Sequence, residues 1–255
     1  MESELSKIIT LMLSKQAPKA IFLLSHATTL YKHDNLFCNN IETAEQPSAY
    51  LLFLVIDTDK KTCTEIQSNL ENLLQHLASL TCWCMPLSSF NEELSKGNYF
   101  ITKVFTKAPR LFIAEDAVFA APGASSENYY QSHWYQRALE FFAGAELYAI
   151  RKQYAIAAFQ LHQCAEQAFT GIIYNTCGYR PSTHNLLLLH KYACWFKPSL
   201  HHLFPNHTNG EESLLQLLQR SYKESRYTND YSIKGKQLEI LKTKIQQLLQ
   251  EAKMQ

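Results

Sequence analysis

No run of apolar residues in this chain is long enough to cross a bilayer; the longest, YLLFLVI at residues 50–56, has the length of a strand. Neither sign of charge is in excess. With 24 basic and 23 acidic residues the formal net charge is +1, which argues against a broadly basic nucleic-acid surface, carries no DNA-specific signal, and leaves room only for a local patch. Glycine-based phosphate signatures are missing: there is no P-loop, no GxGxxG and no GxSxG. The seven cysteines follow no framework spacing and are odd in number, which points to a reduced, cytoplasmic setting. The opening MESELSKIITLMLSK carries early acids and an interrupting lysine, so it reads as an amphipathic helix and not as a signal peptide.

What is present is globular material. Hydrophobic residues make up 46% and charged residues 18%, too apolar for a disordered chain. The length suffices for two modest domains, expected at residues 1–120 and 130–255, with a change of character near APGASSENYY at 121–130. In the first part, strand-length runs at 19–25, 49–57, 81–87 and 110–115 alternate with helical patterns at 2–15, 62–80, 88–94 and 99–108, and a polar, irregular stretch fills 28–47. That alternation predicts an α/β domain with a mixed sheet. The second part is helical almost throughout: 134–152, 154–175, 182–196, 211–227 and 236–254. The first two of these helices are joined so tightly that they must be antiparallel neighbours, and Gly178 and Pro181 end the second. The whole is α+β and multidomain, with an up-down helical bundle at its C-terminal end.

Within the bundle, His162 and Glu166 lie four apart on one helical face, with Gln163 beside them. Tyr222 and Arg226 are also four apart, and Tyr227 follows. An arginine fork grips phosphate or carboxylate, and a tyrosine ring stacks on a base. Converging between two helices, these groups form a nucleotide pocket. The plain alternative is an interhelical ion pair of Glu166 with Arg226 that serves only architecture.

The helical order, together with YAIAAFQLHQCAEQAF (154–169), RPSTHNL (180–186) and SRYTNDY (225–231), resembles the HEPN family of helical bundles over residues 132–253. The resemblance implies a homodimer formed through the bundle. It also brings a ribonuclease signature, an arginine followed after four to six residues by histidine, whose imidazole serves as general acid or base and whose guanidinium stabilises the crowded phosphate. This chain departs from it: Tyr231, Ser232 and Ile233 stand at that distance from Arg226, and Ser225, Arg226 and Tyr227 from Arg220. His184 matches the family's loop histidine; it either caps or bridges backbone groups at a helix start or takes a catalytic part.

Residues 1–118 resemble a degenerate minimal nucleotidyltransferase domain. An active member has Gly-Ser at the end of one strand and an Asp-x-Asp pair on the next, the acids holding divalent metal. Here Leu24 replaces the glycine, Ser25 matches the serine and His26 follows, while Tyr50 and Leu52 replace the acids; Asp57 and Asp59 come too late in the strand.

Other clusters are read structurally: the cysteines of CWC (82–84) as buried small hydrophobes, and His201, His202 and His207 as solvated loop residues. The stripe Leu238, Leu241, Ile245, Leu248 and Leu249 reads as core. No cofactor or metal site is expected. The expected function is non-catalytic binding of a nucleotide or RNA at His162, Gln163, Glu166, His184, Tyr222, Arg226 and Tyr227. A toxin-like ribonuclease with an atypical site using His162 or His184, and a scaffold with both ligand sites lost, are the alternatives.

Overall fold

The computed structural model describes residues 2–27, 33–37, 48–124, 133–205, 213–227 and 231–253. Contacts divide the chain into two units, Met1–Asn128 and Tyr129–Gln255. No helix among the described residues is long and apolar enough to cross a membrane.

The first unit runs α1 (Glu2–Lys15), β1 (Pro18–Ala27), β2 (His33–Asn35), β3 (Ala49–Ile56), α2 (Lys60–Leu74), β4 (Ser79–Pro86), α3 (Leu87–Ser95), α4 (Tyr99–Lys107) and β5 (Arg110–Ile113). The sheet is mixed, in the order β2-β1-β3-β4, with β5 sharing the outer edge of β1. β1 pairs antiparallel with β2, β3 and β5, and β3 runs parallel to β4. Every residue of β3 is buried, which is why its sequence is a continuous apolar run and not an alternation. Tyr50, Leu52, Leu54 and Ile56 join Ile8 and Met12 of α1 and Ile66, Leu70 and Leu74 of α2 in one core cluster. Phe53 points the other way and meets Phe100 of α4 at 5.5 Å and Phe90 of α3 at 6.1 Å.

The second helix was expected to extend to residue 80, but α2 stops at Leu74. Its start is set by Asp59, whose carboxylate accepts from the backbone N–H of Thr62 at 2.9 Å. Its end comes early because the chain has to turn into β4, where Leu80 is a buried strand residue and not a helical one. The stretch 28–47 holds the three-residue β2, too short to leave a signal; its remainder, apart from Leu36 and Phe37, lies outside the described residues.

The second unit is helical: α5 (His133–Ile150), α6 (Tyr154–Cys177), α7 (Leu186–Cys194), α8 (Leu200–Leu203), α9 (Leu214–Tyr227) and α10 (Gly235–Lys253). Lys152 closes the α5–α6 joint in the left-handed conformation, φ 58°. Gly171 lets α5 approach α6: a Cβ there would stand 3.0 Å from the Cβ of Trp134. Gly178 ends α6 at φ 77°, a conformation that costs a side chain energy and glycine little. α6 lies at the centre, with fourteen of its residues buried, and packs against α5, α7, α9 and α10. The α10 stripe of Leu238, Leu241, Ile245, Leu248 and Leu249 is buried, joined by Ala252. The third helix starts at Leu186 rather than 182, because the side chain of Asn185 accepts from Leu187 and Leu188.

Candidate functional site

α6 supplies His162, Gln163 and Glu166; the loop 179–185 supplies His184; α9 supplies Tyr222, Arg226 and Tyr227. Glu166, 8% exposed, is held by two partners. Its Oε1 lies 3.0 Å from His184 Nδ1, and its Oε2 accepts from Gln163 Nε2 at 3.5 Å. The ion pair with Arg226, the plain alternative for these residues, is not formed among the described residues; Glu166 pairs with His184 instead. His184 does not cap α7 either, since Asn185 does that. With Nδ1 turned to Glu166, the side chain of His184 remains 62% exposed. The loop that follows Gly178 thus brings an imidazole to the Glu166 carboxylate.

His162 is fully buried, and its ring stacks on Tyr222 with centroids 4.8 Å apart. Burial pushes its pKa down to about 4; the charges of His184 and Arg226 push the same way, while the His184 backbone and the Gln219 side chain offset part of the shift. Glu166 Oε2 is 3.9 Å from His162 Nδ1, a distance that favours a charged ring, yet the carboxylate is shared with His184 and Gln163 and burial prevails. Nε2 has no hydrogen-bond partner of ordinary geometry. His162 is therefore a neutral, sealed ring near pH 7, unsuited to proton transfer with a ligand.

Tyr222 is a half-buried spacer. His184 stacks on it at 5.2 Å as well, and the Arg226 guanidinium sits 4.4 Å from its centroid. Its ring is engaged by the protein, which leaves Tyr227, 76% exposed, as the aromatic surface open to solvent. Arg226 is fastened through Nε, which donates to the Tyr222 carbonyl at 2.7 Å, and lies 5.0 Å from the Tyr227 ring and 5.1 Å from that of Phe159. No carboxylate pairs with it among the described residues. Arg220, by contrast, is bound to Glu224 at 2.7 Å and holds that carboxyl below its usual range. At the positions where the ribonuclease signature needs histidine, Tyr231 and Ile233 are buried core residues.

Glu166 and His184 also border a cavity of about 440 Å³ between α5, α6 and the loop, whose other walls include Trp134, Arg137 and Arg180. These residues carried no recognisable pattern in sequence beyond the Arg-Pro step after Gly178.

In the first unit, Tyr50 donates to Glu4 Oε1 at 3.0 Å, and burial and then Glu4 push its phenol up to about 12. Leu52 is fully buried and Asp59 caps α2. Cys82 is buried, and the hydrogen bond with Cys63, followed by burial, raises the Cys84 thiol. His201 and His202 belong to α8 and not to a loop; His207 lies outside the described residues. Among the described residues, no group of three or more His, Cys, Asp or Glu side chains is placed to hold a metal ion.

The first unit has a small mixed α/β sheet, a form compatible with a nucleotidyltransferase-like domain. No curated protein matches the chain. HEPN domains often bind RNA and dimerise, and at family level support a nucleotide- or RNA-related, or ribonuclease-like, function. The family model described as the HEPN domain matches residues 131–254, and this C-terminal part of the chain, an α6-centred bundle, is a HEPN domain.

Proposed function

We propose that the HEPN domain binds a nucleotide or RNA without cleaving it, at the face formed by Arg226 and Tyr227. The observation that carries this reading is the state of Arg226: its guanidinium has no acidic partner among the described residues, is fixed through Nε, and lies beside an exposed tyrosine ring. A fixed fork and an open ring suit a phosphate and an adjoining base. His162, Gln163, Glu166, His184 and Tyr222 are the frame behind that face. Residues 1–120 act, in this reading, as a nucleotidyltransferase-like domain without the metal-binding acids. The HEPN bundle, residues 130–255, forms a homodimer, and the protein works in the cytoplasm.

Fluorescence polarisation with labelled single-stranded RNA and a thermal-shift screen of nucleotides test this. Binding is expected, weakened roughly tenfold or more by Arg226→Gln. A flat response to RNA and to every nucleotide would remove the reading.

One observation favours a second reading. The buried Glu166 orients the exposed His184 through Nδ1 at 3.0 Å, an arrangement that leaves Nε2 for proton transfer. Metal-independent cleavage of labelled RNA that persists in EDTA and disappears in His184→Ala would replace the binding reading with a ribonuclease one.

A further inference from the structure

The cavity between α5, α6 and the loop 179–185 has a marked charge asymmetry. At one end the Glu166 carboxylate lies 3.0 Å from His184 Nδ1. Elsewhere in its wall are Arg137 on α5 and Arg180 on the loop, both exposed to solvent. Among the described residues neither arginine has a carboxylate partner. Both guanidiniums belong to residues lining this one cavity, and both charges, after burial, lower the pKa of the neighbouring His133. The Arg180 guanidinium is stacked 5.3 Å from the Trp134 ring centroid, which limits its rotamers without consuming its N–H donors.

Hydroxyl donors complete the lining. Thr170, Ser182 and Thr183 all face the cavity. The Thr183 oxygen accepts from the Asn185 backbone at 3.1 Å, so its O–H is left to donate. The wall also holds acceptors, the Glu166 carboxylate and the Gln167 Oε1, which has no hydrogen-bond partner, but neither arginine has a carboxylate partner among the described residues. At neutral pH a phosphate monoester carries close to two negative charges and several acceptor oxygens, whereas a diester carries one. The cavity volume exceeds what one phosphate fills and falls within the range of small-ligand sites, so the group bearing the phosphate has room as well.

We infer that this cavity is a phosphate-monoester site, in which Arg137 and Arg180 clasp a terminal phosphate and the hydroxyls of Ser182 and Thr183 donate to it. The ligand is a free phosphate, a 5′-mononucleotide or the 5′-phosphorylated end of an RNA. Tyr222, Arg226 and Tyr227 take no part in the walls, so the site stands whether or not the Arg226 face binds RNA.

Isothermal titration of the full chain with inorganic phosphate, with a 5′-mononucleotide against its nucleoside, and with RNA bearing a 5′-phosphate against a 5′-hydroxyl tests the assignment. Wild type is expected to bind the phosphorylated member of each pair at least tenfold more tightly, and Arg137→Gln and Arg180→Gln each to weaken that binding about tenfold. Arg226→Gln should leave inorganic phosphate binding unchanged. The pair with the largest difference identifies the source of the phosphate. Arg137 is exposed, so Arg137→Gln is expected to fold, as circular dichroism will show; Arg180→Lys keeps the charge, removes the fork, and should fall between wild type and Arg180→Gln. Absence of phosphate binding at millimolar concentration, equal binding by the double Arg137→Gln/Arg180→Gln variant, or loss of phosphate binding in Arg226→Gln alone would each overturn the assignment. Loss of RNA binding in Arg226→Gln with phosphate binding intact would separate this site from the proposed RNA face.

Discussion

Replacing His162 by phenylalanine keeps an aromatic ring against Tyr222 and removes the proton-accepting group buried there. The native ring has its pKa lowered from an ordinary 6.5 to about 4, with burial the largest cause. The sign follows from proton counting. Between those two values the unfolded chain binds a proton that the folded chain refuses, so acidification favours unfolding. Above about pH 6.5 the ring is neutral in both states and contributes nothing, and below about pH 4 the full penalty is present. The fall corresponds to about 3 kcal/mol. His190, also lowered by burial, and the carboxylates add acid sensitivity of their own, so the informative quantity is the difference between wild type and His162→Phe. Urea unfolding of both proteins at about pH 7 and about pH 4.5 should show wild type losing about 2 to 3 kcal/mol more than the variant. Identical pH dependence of the two proteins, or a His162 ring resonance that titrates near 6.5 by NMR, would refute the reasoning.

Three further outcomes are expected. Tyr227→Ala should leave the unfolding midpoint unchanged, because the ring is 76% exposed, and should weaken RNA binding by about 1–3 kcal/mol in a polarisation assay. Gly178→Ala forces a side chain into φ 77° and should cost about 1 kcal/mol in urea unfolding. Asp59→Ala removes the cap of α2 and should cost about 1 kcal/mol by the same measurement without changing RNA binding, since Asp59 and Arg226 belong to different units.

Periodicity and run length reported on burial because burial is imposed locally, residue by residue. The unbroken apolar run of β3 required cover on both faces, and helices supply it. The 3.5-residue stripe of α10 required a packed side, and α6 lies against it. Turn chemistry was legible for the same reason: Gly178 ends α6 through its own backbone freedom. Less came through where length or competition blurred the signal. β2 is three residues long, and α2 gave up its last expected turns to the entry into β4.

Charge partners were another matter. Glu166 and Arg226 invited a pairing on composition alone, yet the loop after Gly178 swings His184 to the carboxylate and leaves Arg226 over aromatic rings. Arg137 and Arg180, 43 positions apart in the sequence, share one cavity beside the stretch where Gly171 of α6 leaves room for Trp134 of α5. The amino-acid order by itself determined the strands, the helices, most of their buried faces and the absence of histidine after Arg226, since each depends on neighbours along the chain. Which side chains meet across elements was decided by tertiary structure alone, because the reach of a charged group depends on the loops and close approaches that place it, and these have no period to read.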